Sequence, residues 1–195
     1  MDGQLRIGGF LIRPATSEDA VAYTDCHLDC LDQTYAQIMP PAFIEQYRDR
    51  RGELVADNAD VISQAEQERL ADRVPFREHL LAEDADHRVT GVFSFGPGRK
   101  PWDLELDCPP PPVEMNLDHI YTLAQTHGSG LGQAMIDVGL PRSTPAWLWI
   151  LRGNPRTQAF YACNGSVADG VEVECGETWF HRPMFRMWRG TGQPS

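Results

Sequence analysis

The sequence predicts one mixed α/β domain of about seven strands and four to five helices. Three observations lead there. A length of 195 residues suits a single domain and is long enough to bury a sizeable core without disulfides or metal. Short apolar runs of strand length alternate with longer stretches carrying helix-start signals. One apolar run passes directly through a glycine-rich turn into a helical pattern.

Phe10–Arg13 is short and apolar and ends at Pro14, as a first strand does. Thr16-Ser-Glu-Asp19 supplies a hydroxyl cap and first-turn acids, and Val21, Leu28 and Leu31 continue a helix to about residue 35. Pro40-Pro41 opens a second helix with Phe43, Ile44 and Tyr47 on its apolar side. The charged, Gln- and Ala-rich stretch 52–75 predicts a helix over Asp60–Arg73, closed by Pro75. His79–Glu83 and Arg88–Phe95 read as two strands, the second buried on both faces. Residues 96–113 form a long connection whose run Pro109–Pro112 is extended and stiff; it is read equally as a spacer and as a functional loop. Met115–Leu123 is a strand leading into Gly128-Ser-Gly-Leu-Gly132 and a helix through Val138. Ala146–Leu151 is a further buried strand, and Asn154-Pro155 caps the next helix, which Gly165 stops. Val171–Glu174 and Phe180–Trp188 close the domain. The expected boundaries are an extension at 1–9, one domain at 10–188 and a polar, disordered tail at 189–195.

Acidic residues outnumber basic ones, 28 to 17, for a net charge of −11, which argues against nucleic acid as a partner. Sixteen of the 17 basic residues are arginine, and Lys100 is the sole lysine. No apolar stretch approaches the roughly 20 residues of a membrane helix. The first residues lack the pattern of a secretory signal, so a cytoplasmic location is expected. Five cysteines without a CxxC pair predict reduced thiols and no zinc site.

Two segments carry chemistry. Glycines at 128, 130 and 132 allow close backbone approach, and successive N–H groups at a helix start favour phosphate or pyrophosphate. The spacing is neither GxGxxG nor a GK[ST] loop, so neither dinucleotide-type nor Walker-type chemistry is supported. The second is Asn154-Pro-Arg-Thr-Gln-Ala-Phe-Tyr161, which places a capping amide and a tyrosine on one short helix.

In this order and separation, the segments resemble the GNAT superfamily of acetyl-CoA-dependent N-acetyltransferases over about residues 10–188. Ile12–Ala20 looks like the family's opening strand and helix, and His127-Gly-Ser-Gly-Leu-Gly132 like its pyrophosphate loop. Asn154–Gly165 is similar to its NxxAxxFYxxxG segment. His127 stands where the family has Gln or Arg, and Asn164 and Ser166 where it has Leu and Phe. The resemblance implies a mixed, mostly antiparallel central sheet and acetyl-CoA as co-substrate, with no metal. It implies cofactor contacts from Tyr121, Thr122 and Leu123, from His127, Gly128, Ser129, Gly130, Leu131 and Gly132, and from Asn154, with Tyr161 as general acid.

The family's basic glutamate falls on Asn116, which cannot take a proton. Strand alternation puts Glu114, Asn116, Asp118 and Ile120 on one face. Asp118 is then the nearest carboxylate; Glu114 acting through water and His119 on the other face remain alternatives. Tyr35, Met39 and Phe43, with Asn116 and His119, are the candidate acceptor contacts, against ordinary packing. The expected activity is direct acetyl transfer to a primary amine, on a small molecule or peptide. The alternative is a catalytically inactive GNAT-fold protein that holds CoA or acyl-CoA as a sensor or interaction module. Monomer and homodimer are both compatible with the sequence.

Overall fold

A computed structural model describes residues 5–191. The elements run β1 (Leu5–Ile7), β2 (Phe10–Pro14), α1 (Ala20–Tyr35), α2 (Ala42–Asp49), α3 (Arg51–Leu70), β3 (Glu78–Glu83) and β4 (Val89–Pro97). They continue with the single turn α4 (Pro101–Leu104), β5 (Met115–Thr122), α5 (Leu131–Gly139), β6 (Ala146–Leu151), α6 (Pro155–Cys163), β7 (Val167–Glu174) and β8 (Pro183–Arg189). The described residues thus hold eight strands and six helices, where about seven and four to five are expected. The additional strand is β1, inside the expected N-terminal extension: Gly8, at φ +56°, and Gly9 turn it back so that Leu5 pairs with Ile12 and Ile7 with Phe10. A Gly-Gly pair between short apolar runs is a hairpin signal. α3 starts nine residues before the expected Asp60, because its polar, Ala-rich sequence has few helix breakers before Pro75. None of the described helices is long and apolar enough to cross a membrane.

The chain forms two compact units, one of residues up to Gly96 with His119–Gly139, the other of Pro97–Asp118 with residues from Leu140 on. In the first, β1, β2, β3 and β4 are successive antiparallel neighbours. The N–H of Leu123, just past β5, donates to the Thr90 carbonyl of β4. The core gathers Tyr23, Cys26 and Cys30 of α1, Ile62 of α3, Leu81 of β3 and Val92 of β4. β4 is buried on both faces, as its mixture of small and aromatic residues predicts. Beside it, Arg13 on β2 bridges Asp19 and Glu83.

In the second unit, β5 runs parallel to β6 at the Asn116–Trp147 pair, and β8 lies between β6 and β7 with antiparallel pairing to both. β7 alternates exposed and half-buried residues and carries Glu172 and Glu174, charges that discourage further strand pairing. Two arginines of β8 are buried. Arg186 meets Asp169 at 2.5 Å and donates to the Pro109 carbonyl at 2.7 Å, so one end of the four-proline run is tied down. Arg189 donates to the carbonyls of Leu140, Pro141, Thr144 and Asn164. The expected tail therefore begins too early, since Arg189 is the buried last residue of β8; residues 192–195 lie outside the described residues.

Two stability tests follow from these contacts. A Cβ on Gly96 would lie 2.6 Å from the Phe76 carbonyl oxygen and 2.9 Å from the Arg77 Cα, both backbone atoms. Gly96→Ala should cost about 1–3 kcal/mol, read as a lower urea midpoint. Burial pushes the Asp19 carboxyl up, but the Arg13 guanidinium and the Thr16 N–H and hydroxyl outweigh it and hold the group below its usual value. A carboxylate with depressed folded-state pKa stabilises above its unfolded pKa, and that contribution is lost as pH falls through the folded value. Asp19→Asn should therefore lower stability at neutral pH and flatten the acid dependence below about pH 4.

Candidate functional site

Side chains alternate along β5, and the alternation sorts the candidate residues. His119 and Tyr121, in the first unit, turn toward α1. The His119 Nε2 is hydrogen-bonded to the Tyr23 hydroxyl at 2.9 Å, and its ring stacks on His27 at 4.4 Å. The Tyr121 hydroxyl meets that of Tyr35 at 3.1 Å, and Tyr35 packs edge-on against Phe43. Tyr35, Met39 and Phe43 are buried, so these candidate acceptor contacts are placed mainly in helix packing. Tyr23 and His27 join the same aromatic and imidazole cluster. Sequence reasoning missed them; their spacing of four on α1 was the available signal.

The glycine turn lies in the same unit. Gly128 and Gly130 have φ of +84° and +86°, and both are exposed. Ser129 folds back through its N–H and hydroxyl onto the Thr126 carbonyl, at 3.2 and 2.6 Å, and its Oγ accepts from the N–H of Leu131. The N–H groups of Gly128 and Gly130 meet no backbone acceptor among the described residues. The turn leads directly into the nine-residue helix α5, and successive N–H groups at a helix start favour an anion. The His127 ring turns back to the Thr122 carbonyl at 3.1 Å, so the backbone offers the turn's donors while this side chain braces it.

In the second unit, Asn116 and Asp118 project from β5 into a cavity of about 30 Å³. Lys100, Trp102, Asp103, Leu117, Trp147 and Trp149 complete its lining. The Lys100 ammonium donates to Asp118 Oδ2, with the carboxylate side chain 13 % exposed and the lysine 31 %. Asn116 is buried and offers only long amide contacts, 3.5 Å, to the carbonyls of Leu117 and Trp147. Glu114 is exposed just before β5. Asp103 is fixed by Arg99 and by the Trp149 indole N–H at 3.2 Å. Trp147 is 1 % exposed, and its N–H has no hydrogen-bond partner among the described residues. Lys100 was not among the expected site residues, although its standing as the only lysine is visible in the sequence.

Asn154 caps α6, its Oδ1 accepting from the Thr157 N–H at 3.1 Å. Tyr161 lies on that helix, 6 % exposed. Burial pushes the Cys175 thiol up to about 11, and contact with Cys26 together with burial raises that of Cys30. Neither favours the thiolate that nucleophilic chemistry needs.

No family model and no curated protein sequence matches the chain. Solved structures do. The PaiA N-acetyltransferase of Thermoplasma acidophilum, in complex with coenzyme A, is 15 % identical, with 94 % of this chain and 99 % of that one covered and a TM-score of 0.65. YncA of Salmonella typhimurium, with its cofactor acetyl-CoA, is 16 % identical, with 96 % and 97 % covered and a TM-score of 0.57. The GCN5-related N-acetyltransferase of Rhodopseudomonas palustris is 17 % identical, with 95 % and 98 % covered and a TM-score of 0.58. The likeness is one of fold: this chain has the GNAT fold, as the resemblance implies, with eight strands among the described residues rather than seven.

Proposed function

We propose that the protein is an acetyltransferase that moves an acetyl group from acetyl-CoA directly to a primary amine. The observation that carries this reading is the exposed glycine turn at the start of α5, in a fold shared with proteins that hold coenzyme A and acetyl-CoA. Backbone N–H groups from His127 to Gly132 would take the pyrophosphate, a role that depends little on the side chain at 127. Backbone groups of Tyr121, Thr122 and Leu123, and the Asn154 segment, are the further cofactor contacts on the family pattern. The Asn154 oxygen is already committed to its helix cap, so its share falls to the rest of the amide.

The chemistry needs a neutral amine, donors for the tetrahedral oxyanion and a proton for the departing thiolate. Tyr161 is the proposed acid. Asp118 is the proposed base: Asn116 beside it is an amide, and the His119 Nε2 is engaged with the Tyr23 hydroxyl. The acceptor is a small-molecule or peptide amine, and a cationic one suits the acidic chain. Its ammonium would displace Lys100 from Asp118 before giving up a proton. Amine, thioester and base suffice, so the proposal includes no metal. A second reading, a protein that binds CoA without catalysis, is favoured by the amide at 116 and the lysine held on Asp118.

Two measurements test the proposal. Acetyl-CoA should stabilise the wild-type protein, by about 2.7 kcal/mol at 100 times its Kd. Gly130→Asp should remove that stabilisation, because a side chain at φ +86° and a negative charge both oppose a pyrophosphate. Full stabilisation of a folded Gly130→Asp variant would place the anion elsewhere. Thiol release with a panel of amines should show turnover, and Tyr161→Phe should lower kcat by about 10²-fold or more with little change in acetyl-CoA binding. Binding without turnover of any amine supports the second reading; equal kcat for the variant removes Tyr161 from the chemistry.

A further inference from the structure

We propose that Lys100 is itself an acceptor: the protein acetylates its own single lysine. This rests on the acetyl-transfer reading and extends it to a modification site. Lys100 is the only side-chain amine in 195 residues. It is bonded to Asp118, and the two line one cavity beside Asn116, the position where the family pattern has its base. An amine in contact with its proton acceptor is the arrangement an external substrate must create on binding; here it is built into the chain. Lys100 retains enough exposure to be reached.

In the proposed step the Lys100 ammonium gives one proton to Asp118. The freed lone pair attacks the thioester carbonyl carbon of acetyl-CoA, the C–N bond forms and the C–S bond breaks. The second proton leaves the nitrogen as the amide forms and is matched by protonation of the CoA thiolate; Asp118 returns its proton to solvent. The products are Nζ-acetyl-lysine, CoA thiol and one proton. The amide carries no charge, so the ion pair with Asp118 ends with the reaction.

The test is mass spectrometry of the full chain incubated with acetyl-CoA, with peptide mapping to separate Lys100 from the N-terminal amine. The expected result is one acetyl group at Lys100, added about 10²-fold faster than to the same chain unfolded in urea, the low end of what a positioned base contributes. Asp118→Asn should slow the step by a similar factor, and Lys100→Arg should abolish the mass gain. Equal rates in the folded and unfolded chain, or in Asp118→Asn and wild type, would overturn the proposal. No gain at Lys100 from a protein that turns over an external amine overturns self-transfer alone and leaves the proposed function standing. Failure of acetyl-CoA to stabilise the chain or to acetylate any amine overturns both.

Discussion

The period of two along β5 is the constraint on which the candidate chemistry depends. Because successive side chains leave a strand on opposite faces, His119 and Tyr121 are committed to α1, whereas Asn116 and Asp118 are committed to the cavity with Lys100. A slip of one residue would exchange an imidazole for a carboxylate at the cavity and strand charges among the aromatic rings of α1. The pairing of Asn116 with Trp147 fixes that register at one end of the strand. At the other, the Leu123 N–H is held by the Thr90 carbonyl.

Charge is handled unequally by the two kinds of cation. Arginines in this chain take fixed, often multidentate positions: Arg13 between two carboxylates, Arg186 between Asp169 and Pro109, Arg189 against four carbonyls. A planar guanidinium with five donors suits such work and keeps its proton throughout. The single ammonium stands instead at a half-exposed cavity beside one carboxylate. An ammonium can lose its proton and act as a nucleophile, which a guanidinium cannot do in this pH range. The difference between the residue types therefore matches the difference between their surroundings.

Much of the fold was legible because its signals are local. Asn154 with Pro155 marked a helix start, and the Asn154 side chain caps α6 as expected. The glycines at 128 and 130 marked a turn that needs positive φ. The alternation of β5 placed His119 opposite Asp118. The rest has signals that are weak or not local. β1 is only three residues long, with no alternation to mark it beyond its Gly-Gly turn, and the first turns of α3 are polar and lack an apolar period. The partnership of Lys100 with Asp118 spans 18 residues and a proline-rich connection, and no periodicity reports such a meeting. The fate of Tyr35, Met39 and Phe43 was likewise a tertiary matter: helical spacing predicts a common side, and packing decides what that side touches.

The reach of Arg189 bears on how the chain matures during synthesis. Its guanidinium satisfies carbonyls at 140, 141, 144 and 164, all made well before it. Until β8 leaves the ribosome those oxygens must rely on water, and β6 and β7 lack the strand that lies between them. The unit that ends with His119–Gly139 is complete in sequence before β8 is made, so the nascent chain can settle it first. Before β8 emerges, β6 and β7 present unpaired strand edges, and a chain paused there is the species most exposed to chaperones and to aggregation.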